Sequence, residues 1–308
     1  MDRREFLKSS LAGAGAVAGL SAGGLRAVAA DAPKTEEKPK LGVLKLCSQD
    51  GKIPGKSVKE KADAILKFGG CGLEFGGLDV NRAKQIKKDL EGTGVGIAAL
   101  CCGYYPLIDP DEEKRKKGVE DLKRALQGAG EAGSTGVVFV PAFNNHPQLA
   151  WYEGRKVLVD LLVGIGDYAK SLGTRVLMEP LNRGEAHFLN LLAQASSICR
   201  DTKSEGIGLM GDFYHMYIEE TSDEGAFLSG GKYCHHVHLA SRIRVLPGQD
   251  RLKEPNKEER SFVSGFRGLK RIGYQDYCSL ECGTIGKGEE EIPKSFEFLK
   301  KQWEEAVI

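Results

Sequence analysis

The chain has 308 residues, with 44 Lys and Arg against 43 Asp and Glu, for a formal net charge of +1. That balance excludes the basic footprint that a nucleic-acid backbone or an anionic membrane surface selects. The first 30 residues carry four basic and two acidic groups, so the remainder is slightly negative.

Residues 1–30 read as a twin-arginine signal peptide. Asp2-Arg3-Arg4-Glu5-Phe6-Leu7-Lys8 opens it, a Gly- and Ala-rich weakly hydrophobic run spans 9–25, and Ala27-Val28-Ala29-Ala30 offers small residues for cleavage. A run of about 17 residues with that much Gly is near the lower limit for spanning a bilayer, so cleavage is expected in place of an anchor. The expectation is an extracytoplasmic or periplasmic protein with no membrane attachment afterwards. Residues 31–40 are charged and contain Pro, which suits a linker.

From residue 41 onward, short apolar runs alternate with longer amphipathic ones. Strands are predicted over 42–47, 71–75, 96–101, 136–140, 175–179, 208–212, 233–239 and 277–281. Helices are predicted over 58–68, 81–91, 112–132, 154–172, 191–202 and 289–304. Eight strands with helical connections imply one domain over 41–308, an α/β (β/α)8 TIM barrel. No Gly-rich phosphate fingerprint follows the first strand, which ranks a doubly wound dinucleotide fold second. The eight cysteines include no CxxC pair, and several sit in apolar strand-like runs, so buried free thiols are expected and structural zinc is not.

Polar residues end several predicted strands: Glu74, Glu179, Asp212, His238 and Glu281. In a barrel those ends converge on one face, and carboxylates closing apolar strands are costly unless a cation or hydrogen bonds compensate. Glu179, Asp212, His238 and Glu281 follow one another at intervals of 33, 26 and 43 residues. Three carboxylates with one imidazole favour a hard or borderline divalent ion: Mn, Mg or Co first, then Zn or Fe.

The words around these residues are distinctive: Met178-Glu179-Pro180-Leu181-Asn182-Arg183, Gly211-Asp212-Phe213-Tyr214-His215-Met216, His236-Val237-His238-Leu239-Ala240 and Leu280-Glu281. Together they resemble the xylose isomerase-like TIM-barrel family of sugar phosphate isomerases and epimerases, with ketose 3-epimerases and hydroxypyruvate isomerases nearest in appearance. The resemblance implies that Glu179, Asp212, His238 and Glu281 bind the metal. It also implies that Glu179 and Glu281 are the catalytic pair, moving a proton next to a carbonyl through an ene-diolate. His215, Arg244, Glu74 and His187 match or border substrate-side positions, with a buried structural hydrogen bond an equal reading of Glu74, whereas Arg183 suits a structural ion pair.

Departures from the family pattern fall on one loop. Ser241 and Arg242 follow the His-x-His-Leu-Ala word where relatives often carry an acid, and Asp250 stands where many carry Gly. They place the identity of the sugar, and not the metal, in question. The same glutamates would serve a 3-keto-glycoside lyase or hydratase, and a non-catalytic periplasmic sugar-binding barrel is a third reading. The related endonuclease IV barrel, with three zinc ions, needs more than six His and a basic surface. The resemblance allows a homo-oligomer, and export favours a free, oxidised or glycosidic sugar over a phosphorylated one.

Overall fold

The computed structural model describes residues 41–308; the expected signal peptide (1–30) and linker (31–40) lie outside the described residues. Eight parallel strands form a closed barrel in chain order. They are β1 (Lys45–Gln49), β2 (Gly72–Phe75), β3 (Gly96–Tyr104), β4 (Val137–Val140), β5 (Val176–Met178), β6 (Ile207–Asp212), β7 (Cys234–Leu239) and β8 (Tyr277–Leu280). β8 closes onto β1, with Leu46 opposite Cys278 and Ser48 opposite Leu280. This is the (β/α)8 barrel that the alternating pattern predicted. β3 runs three residues beyond the predicted 96–101, because a register shift between Cys101 and Gly103 lets Tyr104 pair with Val140.

Six long or medium helices lie where the amphipathic runs placed them: α1 (Val58–Lys67), α2 (Val80–Leu90), α3 (Glu112–Ala132), α4 (Trp151–Ser171), α5 (Leu192–Thr202) and α10 (Gly288–Glu305). Their ends follow ordinary capping chemistry. Ser57 accepts from the Glu60 amide at the start of α1, and Asp111 accepts from Glu113 at the start of α3. Four shorter helices were not predicted: α6 (Phe213–Glu219), α7 (Asp223–Gly230), α8 (Asp250–Lys253) and α9 (Val263–Arg271). Gly265 and Gly268 weaken the helical signal of α9, yet they let it lie close against its neighbours. A Cβ at Gly265 would meet the Phe213 ring at 2.5 Å, and one at Gly268 would meet the Glu224 carbonyl at 3.0 Å.

The main apolar core fills the layer between barrel and helices, and a smaller cluster of Ala99, Val138, Leu177 and Met210 plugs the barrel interior. Strand side chains alternate between the two layers, so residues two positions further on also face inward. Two steps beyond Ala99, Leu177 and Met210 lie Cys101, Glu179 and Asp212. The same spacing carries Cys47 to Gln49, Gly72 to Glu74, His236 to His238 and Ser279 to Glu281. The apolar plug is thus roofed by a polar layer at the C-terminal ends of the strands, the face on which TIM-barrel sites are built. All eight cysteines are free, and five of them are buried. Among the described residues, no helix is long and apolar enough to cross a membrane.

Candidate metal centre and active site

Glu179, Asp212, His238 and Glu281 meet in the polar layer, each offering one ligand atom, all within 4.8 Å of one another. His238 Nδ1 lies 3.6 Å from Glu179, 3.7 Å from Asp212 and 3.0 Å from Glu281. The histidine's other nitrogen, Nε2, faces Glu74 at 3.1 and 3.2 Å. A carboxylate only accepts, so Nε2 carries a proton, and in the neutral ring, the form that binds a metal, Nδ1 turns a lone pair toward the three carboxylates. Nδ1 is buried without a hydrogen-bond partner among the described residues. Three carboxylates gathered in a buried space need positive charge among them: in the metal-free protein a protonated His238 supplies part of it, and a divalent cation in place of the Nδ1 proton supplies more while taking the nitrogen as a ligand. The donor set therefore fits such an ion.

Electrostatics separate the two glutamates of the proposed catalytic pair. Burial pushes the Glu179 carboxyl up, aided by the charge of Glu281, and His238 offsets this only in part. Burial also acts to raise Glu281, but His238 and then Arg244 outweigh it and pull that carboxyl down to about 2. His238 shows the converse balance: burial opposes its charge, whereas Glu281 and Glu74 raise it well above the ordinary imidazole range. These directions describe the protein groups alone; a bound cation favours both ionised carboxylates and a neutral imidazole.

His215 sits at the third position of α6, three residues after Asp212. Its Nδ1 lies 3.2 Å from the Asn182 backbone nitrogen, which can only donate. Nδ1 must therefore accept, so in the neutral ring Nε2 carries the hydrogen, and Nε2 lies 3.9 Å from Asp212 Oδ2 at the edge of the centre. This leaves a fixed donor at the edge of the carboxylate cluster. Arg244 reaches the centre from the loop after β7, bonding Asp212 Oδ2 at 2.5 Å through Nη1 and Glu281 Oε2 through Nη2. Its guanidinium lies 4.8 Å from the Tyr214 ring centroid, and its backbone is left-handed at φ 60°. A non-glycine residue in that region is strained, and such strain gathers at functional sites.

Two of the substrate-side candidates have other surroundings. Glu74, read equally as a pocket-side acid and as a buried hydrogen-bonding residue, is fully buried in the wall and turned toward histidines: its Oε2 lies 2.6 Å from His236 Nε2 and both its oxygens contact His238. The two imidazoles hold its carboxyl well below the usual range despite the burial that would raise it. It lies on the far side of His238 from the three carboxylates. His187 is exposed on the segment after β5 and is not drawn into the carboxylate cluster. Arg183 pairs with Glu219 through Nε and Nη2 at 2.9 and 2.7 Å, an exposed guanidinium over a shielded carboxylate, outside the centre.

Three further residues belong to the layer and escaped the sequence reading. His236 bonds Glu74, Gln49 bonds Glu74 and Glu281, and Cys101 Sγ lies 3.6 Å from Glu281 Oε1. Burial pushes the Cys101 thiol far up, so it keeps its proton and donates. The signal that would have found Gln49 and Cys101 is inward parity two residues beyond an interior position, and for His236 it is the shared parity with His238 on β7.

Residues 63–302 match the model of the xylose isomerase-like TIM barrel family. The 3-dehydro-D-guloside 4-epimerase of Escherichia coli is 32% identical over 249 residues, covering 77% of this chain and 92% of that protein. The L-ribulose 3-epimerase of Mesorhizobium japonicum is 26% identical over 237 residues, covering 75% and 74% respectively. The apo crystal structure of 3-keto-D-glucoside 4-epimerase from E. coli superposes with a TM-score of 0.72 at 28% identity, covering 84% of this chain and 98% of that one. With its closed barrel, its divalent-ion donor set and these epimerase relatives, the chain belongs to the xylose isomerase-like TIM-barrel family.

Proposed function

We propose that this protein is a divalent metal-dependent epimerase of keto-sugars, acting on a glycoside already oxidised to a ketone at one carbon and inverting the carbon beside it. The observation that carries this reading is the convergence of Glu179, Asp212, His238 and Glu281 around the partnerless Nδ1 of His238. The substrate class follows the E. coli relatives, whose names specify a 3-dehydro-guloside and a 3-keto-glucoside.

Inversion next to a ketone needs two bases, one on each face of a planar intermediate. One of Glu179 and Glu281 takes the α-proton, and the other supplies a proton to the opposite face. His215 Nε2–H donates to a substrate oxygen, and the Arg244 fork holds charge at the rim. Glu74 keeps His238 turned so that Nδ1, not Nε2, is the ligand atom. A divalent ion in the site supplies Lewis-acid stabilisation of the charge developing on the substrate oxygens. Manganese, magnesium or cobalt suit three carboxylates and one imidazole best. A cavity of about 330 Å³ opens beside Gln49, Asp50, Lys52, Glu74 and Cys101, at the small end of the range that holds a compact ligand.

The twin-arginine reading of residues 1–30 belongs to the same proposal: folding and metal loading precede export, and the substrate is met outside the cytoplasm. Cell fractionation with an Arg3→Lys, Arg4→Lys variant tests it, since export by that route requires the pair.

The test of function is product analysis. Protein lacking residues 1–30, loaded with Mn(II), is given methyl 3-keto-glucoside and free ketoses, and the products are followed by proton NMR. A C4-inverted 3-keto-glycoside is the expected product. An unsaturated or deglycosylated product would establish the lyase reading instead, and saturable binding without any product would establish the binding barrel.

A further inference from the structure

The Gln49 amide stands between two carboxylates that do different work. Gln49 ends β1 directly opposite Glu74 in the sheet register, and its inward parity puts it in the same layer as the metal donors. Nε2 donates to Glu74 Oε1 at 3.2 Å and to Glu281 Oε1 at 3.0 Å. A primary amide has two N–H groups, and each is spent on one carboxylate. The facing atoms only accept, so the nitrogen and not the amide oxygen must point inward.

The two acceptors are linked to the metal centre by different routes. Glu74 holds His238 by Nε2, and Glu281 is itself a donor of the centre. On Glu281 the contacts divide by oxygen: Oε1 receives Gln49 and the weaker Cys101 thiol, whereas Oε2 faces His238 Nδ1 at 3.0 Å and Arg244. Holding Oε1 fixes the plane of the carboxylate, and therefore which oxygen turns to the cation.

We propose that Gln49 is a positioning residue whose amide ties the anchor of the histidine ligand to the glutamate ligand, so that Glu281 presents Oε2 to the metal and keeps Oε1 for proton transfer. The proton-transfer half of this statement rests on the epimerase reading; the metal half does not. Of the two donors on Oε1, the Cys101 thiol is the weaker, so its lone pair is the one released when a substrate C–H approaches. Gln49 stays in place through the cycle.

The experiment uses Gln49→Met, which matches the side chain in length and removes both donors, and Gln49→Glu, which keeps the reach but sets a third carboxylate against the other two. Mn(II) affinity is read from the free-ion EPR signal, independent of any sugar, and folding from the circular dichroism melt. Loss of outer hydrogen bonds to metal ligands weakens metal binding by about 10–100-fold. The expectation is a loss of that order in Gln49→Met, a larger one in Gln49→Glu, and a fall in kcat for epimerisation with KM within about twofold. Unchanged Mn(II) affinity in a folded Gln49→Met protein overturns the proposal. So does a raised KM with unchanged kcat, which makes Gln49 a direct substrate contact. If the wild-type protein epimerises none of the sugars, the epimerase reading fails alone, and the EPR titration still decides the role of Gln49.

Discussion

Replacing Glu74 by Gln isolates the orientation of the histidine ligand from the ligand itself. The wild-type carboxylate accepts from two buried imidazoles, at 2.6 Å from His236 and at 3.1 and 3.2 Å from His238. The Glu74→Gln side chain would keep the shape but exchange one carboxylate oxygen for an amide nitrogen that can only donate. With the amide nitrogen in place of Oε1 it faces the His238 N–H and the Gln49 amide, and in place of Oε2 it faces both imidazoles, so either way a buried donor is set against another donor; Glu74, His236 and His238 are all fully buried. Leaving such a donor unsatisfied costs about 1–3 kcal/mol of stability. If the unpaired ring is His238, it gains by flipping or changing tautomer, and Nδ1 is no longer held toward the centre. Outer-partner losses of this kind weaken metal binding by about 10–100-fold, or about 1.4–2.8 kcal/mol. The assay is an Mn(II) titration by EPR on wild type and Glu74→Gln, with melts of both in EDTA. Equal Mn(II) affinities in the two proteins would refute the reasoning, because His238 would then be held by something other than Glu74.

Three more outcomes follow from the same centre. Metal removal by EDTA should lower the melting temperature, and Mn(II) at 100 times its Kd should restore about 2.7 kcal/mol; a melt indifferent to metal argues against the site. Arg244→Lys should fail to restore the function lost in Arg244→Ala, since a single ammonium cannot span Asp212 and Glu281 as the guanidinium does; comparison of kcat/KM for the two variants checks it. In metal-free protein the Glu281 carboxyl falls from 4.5 to about 2 on folding, so its stabilising effect is complete above about pH 4.5 and is lost as pH drops toward 2. Glu179 is shifted upward, so its protonation on acidification works in the opposite sense. Glu281→Gln should therefore flatten the acid limb of stability against pH, measured by metal-free melts between about pH 2 and 5.

The barrel was legible because eight apolar runs alternated with amphipathic ones, and the four groups that converge at the candidate metal centre because each falls at or beside the C-terminal end of such a run. The short helices were less so: α6 is only seven residues long, and α9 carries two glycines that serve packing against Phe213 and α7 in preference to helix propensity. Gln49 was hidden because Leu46-Cys47-Ser48-Gln49-Asp50 reads as a strand running out into a polar turn, and only the closed barrel reveals that Gln49 points at Glu281. For Glu74 the residue was visible but its direction was not. Sequence does not say which nitrogen of His238 faces inward; the coordinates put Nε2 against Glu74 and Nδ1 toward the three carboxylates. Arg244 was placed at the site by resemblance; its left-handed backbone and its fork across Asp212 and Glu281 required coordinates.

The central claim is that Glu179 and Glu281 exchange the proton beside a ketone while Asp212 and His238 complete the metal site. Proton NMR in heavy water measures this without presupposing the product: Mn(II)-loaded wild type, Glu179→Gln and Glu281→Gln are each incubated with methyl 3-keto-glucoside. The account predicts deuterium next to the carbonyl with wild type and, in each single variant, loss of inversion together with exchange slowed by orders of magnitude. Equal deuterium incorporation by wild type and both variants, or none by metal-loaded wild type with bound sugar, would contradict it.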